Sequence, residues 1–253
     1  MSVSRTELVA YLTQSLRPDQ YQDYCPNGLQ VEGRASVARL ATGVTACQAL
    51  LDKAIAWEAD AILVHHGYFW RNEQPEITGM KRRRLRALLQ HDVNLLAYHL
   101  PLDVHPHFGN NACLGRLMGI DQYGPLQPAD PANPGCIGTL PAALSAGEFR
   151  ISVEKITGKP ALHIGDSDAP VRRIAWCTGA AQSYIQAAVD AGADLYLTGE
   201  ASEQTVHIAR EEGIHFVAAG HHDTERFGVQ ALGEHLAQYF KMEHCFFNID
   251  NPV

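Results

Sequence analysis

Apolar residues first fall at helical spacing over residues 4–16, where Leu8, Val9, Leu12 and Leu16 recur three or four positions apart. Ser4 stands where an N-cap belongs, and Glu7 three residues on completes the pattern of a capping box. Turn chemistry over residues 24–28 leads into a short strand ending near Val31. Strand and helix patterns then alternate: strand 39–44, helix 46–58, strand 61–64, helix 81–90, strand 93–98 and a helix beginning at 111. Residues 121–135 are rich in Pro, Gly and Asp, which predicts a linker at 125–135 between a first unit, 1–124, and a second, 136–253. Beyond it the pattern resumes with strand 136–139, helix 145–157, and strands 161–164 and 171–177. Such alternation predicts an α/β fold with mostly parallel strands.

The second half repeats the first. Residues 46–60 align without gaps on 180–194, so that Ala46, Gln48, Ala54, Ala59 and Asp60 meet Ala180, Gln182, Ala188, Ala193 and Asp194. Each copy runs into a short apolar strand. One ends in Val64-His65-His66-Gly67, the other in Leu197-Thr198-Gly199-Glu200. After a further helix and strand come His99 with Asp103 and His221 with Glu225, each a histidine with a carboxylate four residues later. Ligands of parallel α/β sheets bind at the carboxyl ends of strands, where both copies carry these polar residues. A duplicated unit whose polar ends face a common cleft makes one shared site.

Those polar ends define the chemistry. His65 and His66 are neighbours and point to opposite faces of a regular strand, with Gly67 available to relax the backbone. Pro101 and Pro106 stiffen the loop that carries Asp103. A helix starting near Asp223 or Thr224 places Glu225 in its first turn, where the helix dipole favours a carboxylate. His65, His66, Asp103, His221 and Glu225 form a mixed imidazole and carboxylate set, suited to zinc, iron, manganese, cobalt or nickel. The set exceeds the three side chains that, with water, complete a mononuclear catalytic zinc, and it suits two ions. Two ions about 3.5–4 Å apart activate a bridging hydroxide and polarise a phosphoryl or carbonyl oxygen, which predicts hydrolysis or a ring-opening addition of water. His99 and His222 are the candidates for proton transfer. Tyr68, Asn27, Gln30 and Glu200 are candidates for contact with substrate, and Phe69 and Trp70 share with Tyr68 the option of stacking on a base.

Composition narrows the partners. The 253 residues are 46% hydrophobic and 19% charged, the balance of a globular protein with a sizeable core. No segment approaches the roughly 20 apolar residues of a membrane span, and the polar start lacks the apolar run of a secretory signal, so the reading is cytoplasmic. A net charge of −8 disfavours nucleic acid. The one dense basic run, Lys81 to Arg84 with Arg86, reads as a solvated helix face, with phosphate binding as the alternative. Six scattered cysteines form no C-x-x-C pair, which predicts reduced thiols.

With these residues in view, the chain resembles the YbgI-like dinuclear metal-centre proteins, often labelled GTP cyclohydrolase I type 2 homologues. The resemblance rests on residues 23–31, Val64-His65-His66-Gly67, His99 with Asp103, and Gly220-His221-His222 with Thr224 and Glu225, and it covers nearly the whole chain. It implies two interlocked α/β units with two divalent transition-metal ions in the cleft between them, held by His65, His66, Asp103, His221 and Glu225 and lined by His99. It also implies a toroidal homohexamer built as a trimer of dimers. The activity implied is GTP cyclohydrolase type 2-like, acting on a small nucleotide-like or phosphorylated substrate. A non-enzymatic protein that stores or delivers metal, or scaffolds a ring, is the alternative reading.

Overall fold

The structure, a computed structural model, describes residues 1–130 and 133–253. It comprises two compact units, each discontinuous in sequence. The first is Met1–Gly109 with Arg226–Asp250, and the second is Asn110–Glu225 with Asn251–Val253. Among the described residues no helix is long and apolar enough to cross a membrane, and no disulfide joins the cysteines.

The first unit is built on a five-stranded sheet. Strands Glu243–Phe246, Arg39–Thr45, Ala61–His66 and Asn94–Ala97 run parallel in that order, and Gly28–Val31 closes the edge antiparallel. Residues of the parallel strands alternate between its faces, and a register shift between Leu29 and Val31 breaks the alternation at the antiparallel edge. Leu40, Val44, Ala61, Leu63 and Leu96 pack with Leu8, Leu12 and Leu16 of helix Arg5–Leu16 and with Val229, Leu232 and Leu236 of helix His221–Phe240. Ala41, Ile62, Val64, Leu95 and Ala97 pack on the other side against Leu50, Leu51 and Ala54 of helix Gln48–Ala56 and against Leu85 and Leu88 of helix Gly79–Gln90. Burial on both faces explains why these parallel strands read as continuous apolar runs.

The second unit has a six-stranded mixed sheet. Pro170–Trp176, Leu195–Thr198 and His215–Ala218 run parallel. Leu162–Ile164 flanks them antiparallel on one side, and Cys136–Ser145 followed by Tyr123–Pro125 does so on the other. The expectation of mostly parallel strands therefore describes the first sheet and only the centre of the second.

The duplication extends to hydrogen bonds. Asp60 Oδ2 accepts from the amides of Ala38 and Arg39 at 2.7 and 2.9 Å, and Asp194 Oδ2 accepts from those of Arg172 and Arg173 at 2.8 and 2.7 Å. The amides of the two aspartates return the bond to the carbonyls of Arg39 and Arg173. The aligned aspartates thus anchor equivalent strand starts in the two units.

The expected boundaries at 124 and 136 do not match these units. Tyr123 pairs with Gly138 and Pro125 with Cys136, so the turn signals between them close a hairpin inside the second sheet. Residues 131 and 132 of the expected linker lie outside the described residues. The chain also returns to the first unit, because Glu243–Phe246 pairs in parallel with Arg39–Thr45.

Candidate metal centre

In the first unit the site grows from the end of strand Ala61–His66. The alternation of the strand carries His65 to the face of Ala61 and Leu63, and His66 to that of Ile62 and Val64. His65 is fully buried, and its Nδ1 lies 3.0 Å from the carbonyl of Tyr98. A carbonyl only accepts, so the ring proton sits on Nδ1, and Nε2 points at Asp103 Oδ1, 3.5 Å away. Asp103 is buried in the short helix Leu100–Val104. His66 is half-buried, and its Nδ1 is 3.1 Å from Thr45 Oγ1 on the next strand. The two rings stand 4.6 Å apart, and the ring of His99 is 5.0 Å from His65 and 5.6 Å from His66. One ligand atom from each of these three imidazoles lies within 4.8 Å of the other two.

His99 is held in place by residues near the N-terminus. Its Nδ1 donates to Asp23 Oδ1 at 2.7 Å and its amide to Asn27 Oδ1 at 2.7 Å. Asp23 Oδ2 accepts from the Leu100 amide and from Asn27 Nδ2, both at 2.9 Å. Burial alone raises the Asp23 carboxyl pKa, but the hydrogen bond and charge of His99, with the bonds from Asn27 and Leu100, outweigh it and hold the group at about 2. Asp23 is the functional residue that the sequence patterns left without a role, although it begins the quoted 23–31 segment.

Three of the expected substrate contacts already hold bonds within the fold. Asn27 spends both ends of its amide on Asp23 and His99. Gln30 donates to the carbonyls of Pro26 and Tyr68 and accepts from the Tyr68 amide at 2.7 Å, so it braces the backbone after the histidines. Tyr68 is buried, and its hydroxyl donates to the Ala46 carbonyl at 2.7 Å. Trp70 reaches the imidazoles, with its ring 5.1 Å from His99 and 5.9 Å from His66, and the ring of Tyr24 stands 6.4 Å from His99. Gly67 serves close approach rather than a special backbone angle. A Cβ there would lie 2.2 Å from Gln30 Oε1 and 2.6 Å from Ala97 Cβ.

Helix His221–Phe240, of which His221 to Glu225 belong to the second unit, begins two or three residues earlier than expected. His221 and Glu225 are therefore one turn apart on one face, with Nε2 3.0 Å from Glu225 Oε2. The His221 Nδ1 donates to Glu200 Oε1 at 2.7 Å. Burial pulls this imidazole down, but Glu225 and then Glu200 overcome it and raise the pKa to about 9. Glu200 thus orients His221, a role distinct from the expected substrate contact. Gly179, at φ 72°, makes room for the carboxylate: a Cβ would stand 2.0 Å from Glu225 Oε1. The Thr224 hydroxyl accepts from the Gly179 amide at 3.0 Å and fixes that approach. His222 is buried, and as the next helical residue it is turned about 100° from the His221–Glu225 face.

The donor set fits divalent transition ions. His65, His99 and His221 each commit Nδ1 to a carbonyl or carboxylate, the arrangement that fixes the tautomer of a metal-binding histidine and presents Nε2. The remaining candidate donors in each unit are oxygens or imidazole, with no thiolate required. Residues 3–252 match the model of the Duf34/NIF3 (NGG1p interacting factor 3) family. The chain belongs to that family. A Pseudomonas aeruginosa member named GTP cyclohydrolase 1 type 2 homolog is 53% identical over 253 residues, the full length of both chains. A Yersinia pestis member of the same name is 53% identical over 248 residues, 98% of each chain. Among solved structures, the protein ybgI, described as of unknown function, superposes with a TM-score of 0.94 at 47% identity, covering 99% of this chain and 100% of the other. The family resemblance drawn from the sequence motifs thus holds along the whole chain.

Proposed function

We propose that this member of the Duf34/NIF3 family is a metal-dependent hydrolase of small nucleotide-like or phosphorylated molecules, with two divalent ions held by His65, His66, Asp103, His221 and Glu225. The observation that carries the reading is the fixing of His65 by a carbonyl and of His99 and His221 by carboxylates at Nδ1. That pattern fixes the tautomer and directs the Nε2 lone pairs, as in metal-binding histidines. When bound, such ions activate water and polarise a phosphoryl or carbonyl oxygen. The side chains of this chain do the rest. Asp103 and Glu225 balance cationic charge, and Asp23 and Glu200 hold His99 and His221 in orientation. His99, held at Nδ1, moves a proton through Nε2, and Trp70 offers a face for a heterocyclic base. The metal is one of zinc, iron, manganese, cobalt or nickel. The relatives are named GTP cyclohydrolase 1 type 2 homolog, so GTP is the first substrate to test.

Metal delivery is the weaker reading. The candidate ligands sit at a strand end and in the first turns of helices, where packing resists the mobility that handing over an ion requires. A cytoplasmic homohexamer is the assembly we propose with this function, and sedimentation velocity checks it. The function is tested by loading the purified chain with each metal and assaying GTP, other nucleotides and phosphoesters. Turnover that chelation abolishes and metal restores supports the proposal. Absence of turnover in a fully loaded protein, together with rapid transfer of its metal to a competing chelator, would establish delivery instead.

A further inference from the structure

Helix Gly79–Gln90 carries Lys81, Arg82, Arg83, Arg84 and Arg86 and no acidic residue, in a chain whose net charge is −8. Two of these cations are drawn into the fold. Lys81 pairs with Glu73 at 3.2 Å, and Arg84 is half-buried. Arg82, Arg83 and Arg86 are exposed, and none forms an ion pair with a described residue. Leu85 and Leu88 of the helix are already buried against Leu50, Leu51 and Ala54, so the core does not need its outer face.

That outer face is nevertheless apolar. Ile77, Met80 and Leu89 remain 56, 55 and 60% exposed. Ile77, Leu85 and Leu89 line a groove of about 380 Å³, flanked by Arg82 and Arg86. Residues 82, 85, 86 and 89 follow the i, i+3, i+4, i+7 spacing by which one helix reads another. A contiguous exposed apolar patch between unpaired charges of one sign is the mark of an interaction surface.

We propose that this groove docks an acidic amphipathic helix of a partner protein, whose apolar side chains enter between Ile77, Leu85 and Leu89 while its carboxylates meet Arg82 and Arg86. The charge complementarity is set by three arginines that form no ion pair among the described residues. The concavity decides between classes of partner. A flat anionic bilayer would meet the rim of the groove and leave its floor at Leu85 unfilled. A nucleic-acid backbone would use the arginines and leave the apolar floor wet.

Fluorescence anisotropy tests this with the full-length protein and a labelled helical peptide of Leu at heptad spacing and Glu elsewhere. The peptide is expected to bind with an affinity that falls with added salt. Arg82→Ser with Arg86→Ser, and separately Leu89→Ser, are each expected to weaken it about tenfold or more. These side chains are exposed, so circular dichroism is expected to show an unchanged fold. Equal binding of a matched Lys/Leu peptide, or indifference to the variants, would overturn the proposal. So would preferential binding of a single-stranded oligonucleotide or of phosphatidylserine vesicles. Self-association of the wild type that the Arg82→Ser, Arg86→Ser variant abolishes would show a second copy in the groove and overturn it as well.

Discussion

Asp23 and His99, 76 positions apart in the chain, meet in a 2.7 Å hydrogen bond that sets the orientation of one imidazole at the candidate metal centre. The bond belongs to a small clamp in which Asn27 holds the His99 amide and Asp23 also takes the Leu100 amide. Asp23→Asn is expected to lower metal affinity or turnover about 10–100-fold, as removal of such orienting partners does, with little change in secondary structure. Metal titration beside circular dichroism checks this. The lowered Asp23 pKa adds a sign. Its stabilising effect is present above the ordinary carboxylate value of 3.8 and is lost as pH falls through about 2. Asp23→Asn therefore removes stability that the wild type has near neutrality and lacks below about pH 2.

His221 gives the opposite pH dependence in the metal-free protein. Its pKa is raised from 6.5 to about 9, so the paired imidazolium contributes fully below pH 6.5 and progressively less as pH rises through about 9. Thermal melts of chelator-treated protein are expected to show Tm falling across that interval. Glu200→Gln, which removes one of the two carboxylates, is expected to flatten the decline. A Tm independent of pH from 6 to 9.5 would contradict the pairing.

Gly179 is a steric requirement of the Glu225 carboxylate. In Gly179→Ala the new methyl would stand 2.0 Å from Glu225 Oε1, at a φ of 72° that side chains disfavour. The expected result is displacement of Glu225, loss of metal affinity, and destabilisation of about 1–3 kcal/mol. Denaturant melts and metal titration of the variant measure the two effects separately.

Tyr68 and Trp70, two positions apart, have different work. Tyr68→Phe removes a buried bond to the Ala46 carbonyl and is expected to cost about 1–3 kcal/mol of stability while leaving KM unchanged. Trp70→Ala is expected to raise KM for a nucleotide substrate and to have the smaller effect on stability, since Trp70 is only half-buried beside His66 and His99. Steady-state kinetics and melts on the two variants separate the roles.

The sequence was most legible where function and local pattern coincide. Asp60 and Asp194 are aligned by sequence alone and make the same bonds, and the polar strand ends follow from the apolar runs before them. Less legible were relationships between distant segments. No periodicity links Asp23 to His99 or Gly179 to Glu225. Tyr68 and Gln30 read as free polar groups until their partners, Ala46 and the Tyr68 backbone, are brought alongside. The unit boundary was missed because a Pro- and Gly-rich hairpin carries the same residues as a linker. The return of Glu243–Phe246 to Arg39–Thr45 depends on a parallel pairing across about 200 residues. The helix at His221 starts early because Gly220, at φ 91°, makes the turn directly before it.

The central claim is the proposed two-ion centre with His65, His66, Asp103, His221 and Glu225 as ligands. Its most direct test is metal content per chain, measured by inductively coupled plasma mass spectrometry after purification without chelator, for wild type, His65→Ala and Glu225→Ala. Two transition ions in wild type, with one or both lost in each variant, are predicted. Wild-type protein that stays free of stoichiometric metal after anaerobic reconstitution, or variants that keep the full complement, would contradict the account.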